Sequence, residues 1–178
     1  VAKVSSAIDR GLRWLRSAQK PDGSWGDHLG ITALVTAALA RSPRAYREDD
    51  GPFMRKAIAY IRGAAKLDGS IAYGGGNEMY TTALSLIALQ ALKDPKHDEL
   101  IRKAQQWIKS QQTDEANGYL PEDKFYGGFG YGSSLRPDLS NTQYAIEALR
   151  MTGLSAKDPA FAKAAKFIQR VQNRTESN

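Results

Sequence analysis

Residues 10–26 read RGLRWLRSAQKPDGSWG, a helix-forming segment that leads into a glycine-containing loop. The helical part contains an aromatic residue followed directly by an aliphatic one, and such pairs recur along the chain. The pairs are Trp14-Leu15, Tyr60-Ile61, Trp107-Ile108 and Phe167-Ile168, with the last spacing lengthened by an insertion near 113–138. Recurrence at a period of about 20–50 residues is typical of proteins built from structural repeats.

A second segment, rich in alanine and leucine, recurs between these pairs and opens at Ile31, Tyr80 and Asn141. Each repeat is therefore predicted to contain a helix, a glycine-rich loop and a second helix. The chain would hold three repeats and the first helix of a fourth within one domain, 1–178. We place the repeats at approximately 5–50, 51–97, 98–157 and 158–178, of which the last is incomplete.

The two helices of a repeat differ in the distribution of their apolar residues. In the first helix Ile8, Leu12 and Leu15 form one apolar stripe, with basic residues on the opposite side. The second helix is apolar nearly all round, as in residues 83–89, ALSLIAL. A helix without a polar face must be buried on most sides. The alternation predicts an all-α fold in which outer helices surround inner ones, a partial α/α toroid of about three and a half helix hairpins.

Composition excludes several classes of function. The chain has 178 residues, 25 Lys and Arg against 19 Asp and Glu, and no Cys. Without Cys there are no disulfides, Cys-ligated metals or cysteine nucleophiles. The positive residues are spread along the chain rather than clustered, so we predict solvated helix faces and no nucleic-acid partner. No apolar run approaches the roughly 18–20 residues of a membrane span, and nothing in the sequence indicates a compartment.

The stretch 10–26 resembles the QW repeat of squalene and hopene cyclases, which combines a basic residue, an aromatic–aliphatic pair, Gln and then Gly-x-Trp. Residues 104–111, followed by 126–131, are similar to the looser repeat of protein prenyltransferase β subunits. The second copy departs from the pattern, because Ala64-Ala65 stand in place of the Gln and Tyr73 replaces the Trp.

The resemblance implies a structural role for the Gln and the aromatic residue. In this family the Gln side chain caps a neighbouring helix end and the Trp stacks beneath it, which joins one repeat to the next. We assign this role to Gln19 with Trp25, and to Gln111 or Gln112 with Phe129. An amide side chain can satisfy the free backbone groups of a helix end.

The chemical motifs of these families are not recognisable in the chain. The cyclase proton donor is an Asp-x-Asp-Asp run, and the nearest string, residues 47–50, reads REDD and is interpreted as a helix cap. The prenyltransferase zinc site requires a Cys. No His-x3-His pair or carboxylate cluster has a metal-binding spacing, and His97 is predicted to lie on the surface. The resemblance thus implies a repeat domain without cofactor or metal that binds an apolar or isoprenoid ligand, or a protein partner.

A site is expected where the inner helices begin, because the amino-terminal ends of parallel inner helices gather at one end of a toroid. The candidate catalytic residues there are Asp138, Glu78 and His28, with Asp138 also predicted as an N-cap. The candidate ligand-binding residues share a position at or near these helix starts. They are Tyr80, Tyr144, Asn141, Trp25 and Tyr131.

Two enzyme hypotheses remain open beside binding. One is a class II terpene cyclase-like fragment whose acid is Asp138. The other is a carbohydrate-active α/α toroid in which Glu78 and Asp138 form the carboxylate pair. Because three and a half repeats do not close a toroid, we also expect the chain to be part of a longer protein or to self-associate.

Overall fold

The computed structural model describes residues 2–131 and 136–172, and this part of the chain is helical with two isolated β-bridges. The seven α-helices of the described residues are α1 Ala2–Ser17, α2 Leu29–Arg41, α3 Pro52–Gly63, α4 Glu78–Leu92, α5 Asp98–Ser110, α6 Leu139–Met151 and α7 Pro159–Val171. Short 3-10 turns lie at Glu48–Asp50, Pro95–His97 and Glu115–Asn117. The all-α prediction is confirmed. The amphipathic helices α1, α3 and α5 are each followed by an inner helix, which is apolar nearly all round in α2 and α4 but carries Glu147 and Arg150 in α6.

The helices form two layers. The inner layer is α2, α4 and α6, with α4 packed between the other two. The outer layer is α1, α3, α5 and α7, of which α3 packs on α2, α5 on α4 and α6, and α7 on α6. Within α4 every residue is buried except Glu78, Tyr80 and Gln90, which are half-buried. This is the arrangement expected of an α/α toroid fragment, since the helix that lacks a polar face is the one most enclosed.

A glycine in each loop sets the distance between one repeat and the next. At these glycines φ is positive, and an added Cβ would lie closer than 3.0 Å to a backbone carbonyl oxygen of the following outer helix. The glycines and the lysines whose carbonyls they approach are Gly23 on Lys56, Gly69 on Lys103 and Gly127 on Lys163. Only glycine fits such a position, because a side chain would be strained and would also collide with the helix.

A threonine in each inner helix fixes the loop residue that follows the glycine contact. The loop N–H donates to the Thr Oγ1 in every repeat, from Trp25 to Thr32 at 3.0 Å, from Ile71 to Thr82 at 2.9 Å and from Phe129 to Thr142 at 3.0 Å. The residue equivalent to Trp25 in the second repeat is therefore Ile71, and the assignment of Tyr73 to that position is wrong.

Tyr73 nevertheless reproduces one contact of Trp25. Its hydroxyl donates to the carbonyl oxygen of Tyr60 in α3 at 2.7 Å, whereas the Trp25 indole N–H donates to the carbonyl oxygen of Leu15 in α1 at 2.7 Å. In the second repeat the buried apolar position and the hydrogen bond to the outer helix are thus divided between two residues, Ile71 and Tyr73.

The glutamine contacts join consecutive repeats at the start of an outer helix. Gln19 Nε2 donates to the carbonyl oxygens of Gly23 at 3.0 Å and Phe53 at 2.8 Å. In the third repeat Gln112 Nε2 donates to the corresponding carbonyls, those of Gly127 and Ala160, both at 2.9 Å.

The contact in the third repeat is therefore made by Gln112 and not by Gln111, whose side chain donates to the neighbouring Ser110. Both glutamine contacts use a carbonyl in the first turn of the next helix rather than the free N–H groups that a helix start offers. Trp25 and Phe129 are buried beside these contacts, in the core of the domain.

Candidate functional site

The three candidate catalytic residues occupy equivalent positions in their repeats. His28, Glu78 and Asp138 each stand four residues before the threonine that binds the loop, at or just before the first residue of an inner helix. The equivalence explains why sequence reasoning selected them together. The position has no fixed chemistry, since it holds an imidazole once and a carboxylate twice.

His28 and Asp138 act as helix caps. His28 Nδ1 accepts hydrogen bonds from the backbone N–H groups of Gly30 at 3.1 Å and Ile31 at 3.4 Å. Asp138 Oδ1 accepts from the N–H of Asn141 at 2.9 Å, and Oδ2 accepts from the Asn141 side-chain amide at 2.7 Å. The N-cap prediction for Asp138 is confirmed, and both carboxylate oxygens are engaged in it.

Glu78 differs from these two residues because it is the first residue of α4 rather than its cap. Its carboxylate is half-buried, and among the described residues its Oε2 atom has no hydrogen-bond partner. A carboxylate in the first turn is stabilised by the positive end of the helix dipole. Glu78 thus presents a buried acceptor at the amino-terminal end of the central inner helix.

Three tyrosines form an aromatic trio beside these helix starts, defined as Tyr80, Tyr131 and Tyr144. The Tyr80 ring centre lies 5.1 Å from that of Tyr144 in an edge-on arrangement, and 6.5 Å from that of Tyr131 in a stacked one. Burial and the contact with the Tyr144 hydroxyl raise the pKa of Tyr80 above its usual value. The phenol is therefore neutral and its ring face carries the partial negative charge typical of aromatic rings.

Of the candidate ligand-binding residues, the structure brings Tyr80, Tyr131 and Tyr144 together and separates the other two from them. Trp25 is enclosed in the core with its indole N–H bound to α1. Asn141 is fully buried and holds Asp138, although its Oδ1 atom has no hydrogen-bond partner among the described residues.

A groove of about 310 Å3 runs along the inner helices on the concave side. We call it the concave groove, and it is lined by Leu34, Ala37, Ala38, Arg41, Leu84, Ile87, Gln143, Tyr144 and Glu147. Leu34, Leu84 and Tyr144 hold one repeat-equivalent position in α2, α4 and α6, so the groove follows the curvature of the fold. Tyr144 belongs to both the groove and the aromatic trio, which are therefore continuous.

One end of the concave groove is bridged by a charged pair. Arg41 Nη2 of α2 lies 3.6 Å from Glu147 Oε1 of α6, across the central helix. Leu84 and Ile87 of α4 are buried although they line the groove. On α2, in contrast, Ile31 and Leu34 are exposed.

A second apolar surface lies at the edge formed by α6 and α7. We call it the edge surface; its cavity of about 540 Å3 is lined by Leu139, Gln143, Ile146, Glu147, Arg150 and Ile168. Leu139 is 51% exposed, whereas Leu29 and Met79 at the equivalent positions of α2 and α4 are buried. The difference arises because each of those positions is covered by the next inner helix.

Sequence reasoning missed Arg41 and Glu147 and misplaced His97. Nothing in the sequence pairs Arg41 with Glu147, because the contact depends on how tightly the inner helices curve. His97 is buried rather than on the surface. The sequence contains a weak indication for His97. It ends the short turn Pro95–His97 directly before α5, and a residue at the start of a packed helix can be buried.

In the described parts of the chain, no helix has both the length and the apolar character that crossing a membrane requires.

Comparison with known proteins identifies a consistent set of relatives. The model of the squalene-hopene cyclase C-terminal domain matches residues 27–177. The chain is 28% identical to a squalene–hopene cyclase of Bradyrhizobium diazoefficiens and 26% identical to a probable squalene–hopene cyclase of Sinorhizobium fredii, over 97% and 96% of its length. It is 24% identical to a drimenyl diphosphate synthase of Streptomyces showdoensis over 93% of its length.

The chain spans 30% of the length of the two squalene–hopene cyclases and 28% of the drimenyl diphosphate synthase. No solved structure is significantly similar to it.

Proposed function

Because the chain belongs to the squalene-hopene cyclase C-terminal domain family, we propose that its concave groove and aromatic trio bind an isoprenoid chain. The names of its relatives refer to squalene, hopene and drimenyl diphosphate, which are all isoprenoid compounds. We assign to this chain the ligand class that these names share.

The observation that carries the proposal is the continuity of the groove with the trio through Tyr144. Leu34 offers an exposed apolar side chain above a floor formed by the buried Leu84 and Ile87, and the tyrosine rings lie beside the starts of the inner helices. A pocket of about 300–1,000 Å3 lined mainly by apolar and aromatic side chains is typical of small-molecule sites. Aromatic faces also attract a positively charged carbon in a ligand.

Binding is supported better than proton donation by the residues of this chain. Asp138 would have to give up at least one of its two hydrogen bonds with Asn141 to act as an acid, and His28 holds the start of α2. The carbohydrate hypothesis requires Glu78 and Asp138 as a free carboxylate pair, and only Glu78 has a free oxygen. The cyclase-like hypothesis names Asp138 as its acid, and both oxygens of that carboxylate already accept hydrogen bonds from Asn141.

The proposal is tested by calorimetric titration of the protein with farnesol. Leu34→Asp places a carboxylate in the groove at a site that is 42% exposed, so the fold should tolerate it. Ile8→Asp is the matched control, since Ile8 is 38% exposed on the outer helix α1. Burying a charge under an apolar ligand costs several kcal/mol, so Leu34→Asp should weaken farnesol binding at least about tenfold while Ile8→Asp leaves it unchanged.

Equal affinities of the two variants would contradict a binding site in the concave groove. An absence of heat with the wild-type protein at two well-separated temperatures, at concentrations where farnesol is soluble, would contradict isoprenoid binding itself, because the heat-capacity change of apolar burial prevents the enthalpy from being zero at both.

A further inference from the structure

Two 3-10 turns meet at the ends of the first two inner helices, opposite the aromatic trio. Glu48 belongs to the turn between α2 and α3, while Asp94 and His97 belong to the connection between α4 and α5. One carboxylate oxygen from each acid and one ring nitrogen of His97 all lie within 4.8 Å of one another. The fold therefore collects two carboxylates and an imidazole from two consecutive repeats.

The imidazole of His97 is the unusual member of this cluster. The side chain is 1% exposed, and within residues 2–131 and 136–172 neither ring nitrogen has a hydrogen-bond partner. A buried polar group without a partner is destabilising and calls for an explanation. Nε2 lies 3.9 Å from Glu48 Oε2, so the ring is directed at the carboxylates.

A positive charge already occupies the space between the carboxylates. Lys96 Nζ lies 2.5 Å from Glu48 Oε2 and 2.8 Å from Asp94 Oδ2. The ammonium group is held there by these two contacts, and the side chain is partly exposed on a flexible stem. It can therefore leave the cluster without disturbing the backbone. Lys96 and His97 also line a cavity of about 670 Å3 between α3 and α5, so the side chain that must leave the cluster borders open space.

We propose that Glu48, Asp94 and His97 bind a divalent transition-metal ion of the Zn2+ type, which displaces the ammonium of Lys96. One imidazole nitrogen and two carboxylate oxygens are a ligand set that Zn2+ accepts, with water completing the tetrahedron. Metal–ligand distances of about 2.0–2.1 Å place tetrahedral ligands about 3.4 Å apart. The separation of 3.9 Å between His97 and Glu48 thus needs only a small contraction, which the partly exposed carboxylates can make.

The ion would join the first repeat to the second, because its ligands come from the two turns that follow α2 and α4. The sequence did not indicate this site because Glu48 is far from Asp94 and His97 in the chain, so no short spacing motif exists. The sequence-based expectation that the chain binds no metal is therefore revised by this proposed site.

The test is a titration with Co2+, which reports tetrahedral binding through its visible absorption, together with a calorimetric titration with Zn2+. Wild-type protein should bind one ion. Lys96→Gln should bind it more tightly, because the competing ammonium is gone. Loss of even an indirect metal partner costs about 10- to 100-fold in affinity, so Glu48→Gln and His97→Gln should each weaken binding by at least that factor.

Two controls separate this site from other binding. Glu99→Gln removes a carboxylate from a surface pair with Lys103, and His28→Asn removes the other histidine while keeping a capping side chain. Both should bind Co2+ like the wild type. The proposal is overturned if neither the wild type nor Lys96→Gln binds Co2+, or if binding survives in Glu48→Gln and His97→Gln. The Lys96→Gln result stands independently if one of the ligand variants fails to fold.

Discussion

The glycine contacts make a quantitative prediction about how the repeats are held together, and Gly127→Ala tests it most severely. Gly127 has φ 89°, and its added Cβ would overlap the Lys163 carbonyl more deeply than at the other two contacts. Adopting this backbone costs a non-glycine residue about 1–2 kcal/mol, of which about 0.4–1 kcal/mol is recovered from the less flexible unfolded chain. The strain alone is therefore worth about 1 kcal/mol.

The collision adds a second and larger effect. The loop must move away from α7 to admit the methyl group, and Gln112 then cannot reach both the Gly127 and the Ala160 carbonyl oxygens. A hydrogen bond contributes about 1 kcal/mol, and a buried amide left without its partner costs more. We expect Gly127→Ala to lower the free energy of unfolding by about 3 kcal/mol or more.

The assay is urea unfolding followed by far-ultraviolet circular dichroism, with Gly118→Ala as the matched control. Gly118 has φ 80°, yet nothing lies within 4 Å of its added Cβ. This variant should lose only the strain of about 1 kcal/mol. If the two variants unfold at the same urea concentration, the close approach of loop and helix does not stabilise the fold and the reasoning is refuted.

Three further predictions concern the core, pH and association. Trp25→Ala should destabilise the protein by about 3–5 kcal/mol, because the ring is buried, whereas Trp14→Ala, at a residue 66% exposed, should change the melting temperature little. The contact with Lys163, and then that with Tyr126, lowers the pKa of Glu115 from 4.5 to about 2. The stability this carboxylate contributes should be complete above pH 4.5 and be lost as the pH falls toward 2, so the difference in unfolding free energy between wild type and Lys163→Met should shrink over that interval. The edge surface should cause self-association at micromolar concentration, which sedimentation equilibrium measures; Ile168→Asp should yield monomers, and a monomeric wild type would contradict the prediction.

Much of the architecture could be predicted because the same pattern, an amphipathic outer helix followed by a loop and an inner helix, recurs three times in the sequence. The aromatic–aliphatic pair marks each outer helix, and the apolar segment 83–89 indicates the most buried inner one. The equivalent position of His28, Glu78 and Asp138 also follows from the sequence alignment of the repeats. The threonines four residues later confirm that alignment through equivalent hydrogen bonds, and the loop glycines confirm it through equivalent close approaches to the next outer helix.

The sequence-based assignments were wrong where the two roles of Trp25 are divided between two residues, and where residues in contact are distant in the sequence. Tyr73 was aligned with Trp25 because both are aromatic, but the backbone places Ile71 there and leaves Tyr73 only the hydrogen bond. Gln111 and Gln112 are adjacent, and only the direction of the side chains at the end of α5 distinguishes them. The cluster of Glu48 and His97 requires two turns to meet, which no local pattern reports.

The most direct test of the account is to locate bound farnesol on the folded protein by methyl nuclear magnetic resonance. Leu34 lines the concave groove and the exposed Ile31 lies one turn before it on the same face of α2, while Ile146 and Ile168 line the edge surface. The account predicts chemical-shift changes and contacts between ligand and methyl groups at Ile31 and Leu34, with the edge methyl groups unchanged. Contacts confined to Ile146 and Ile168 would contradict it, because farnesol would then bind where the helix layer ends and not within its curvature.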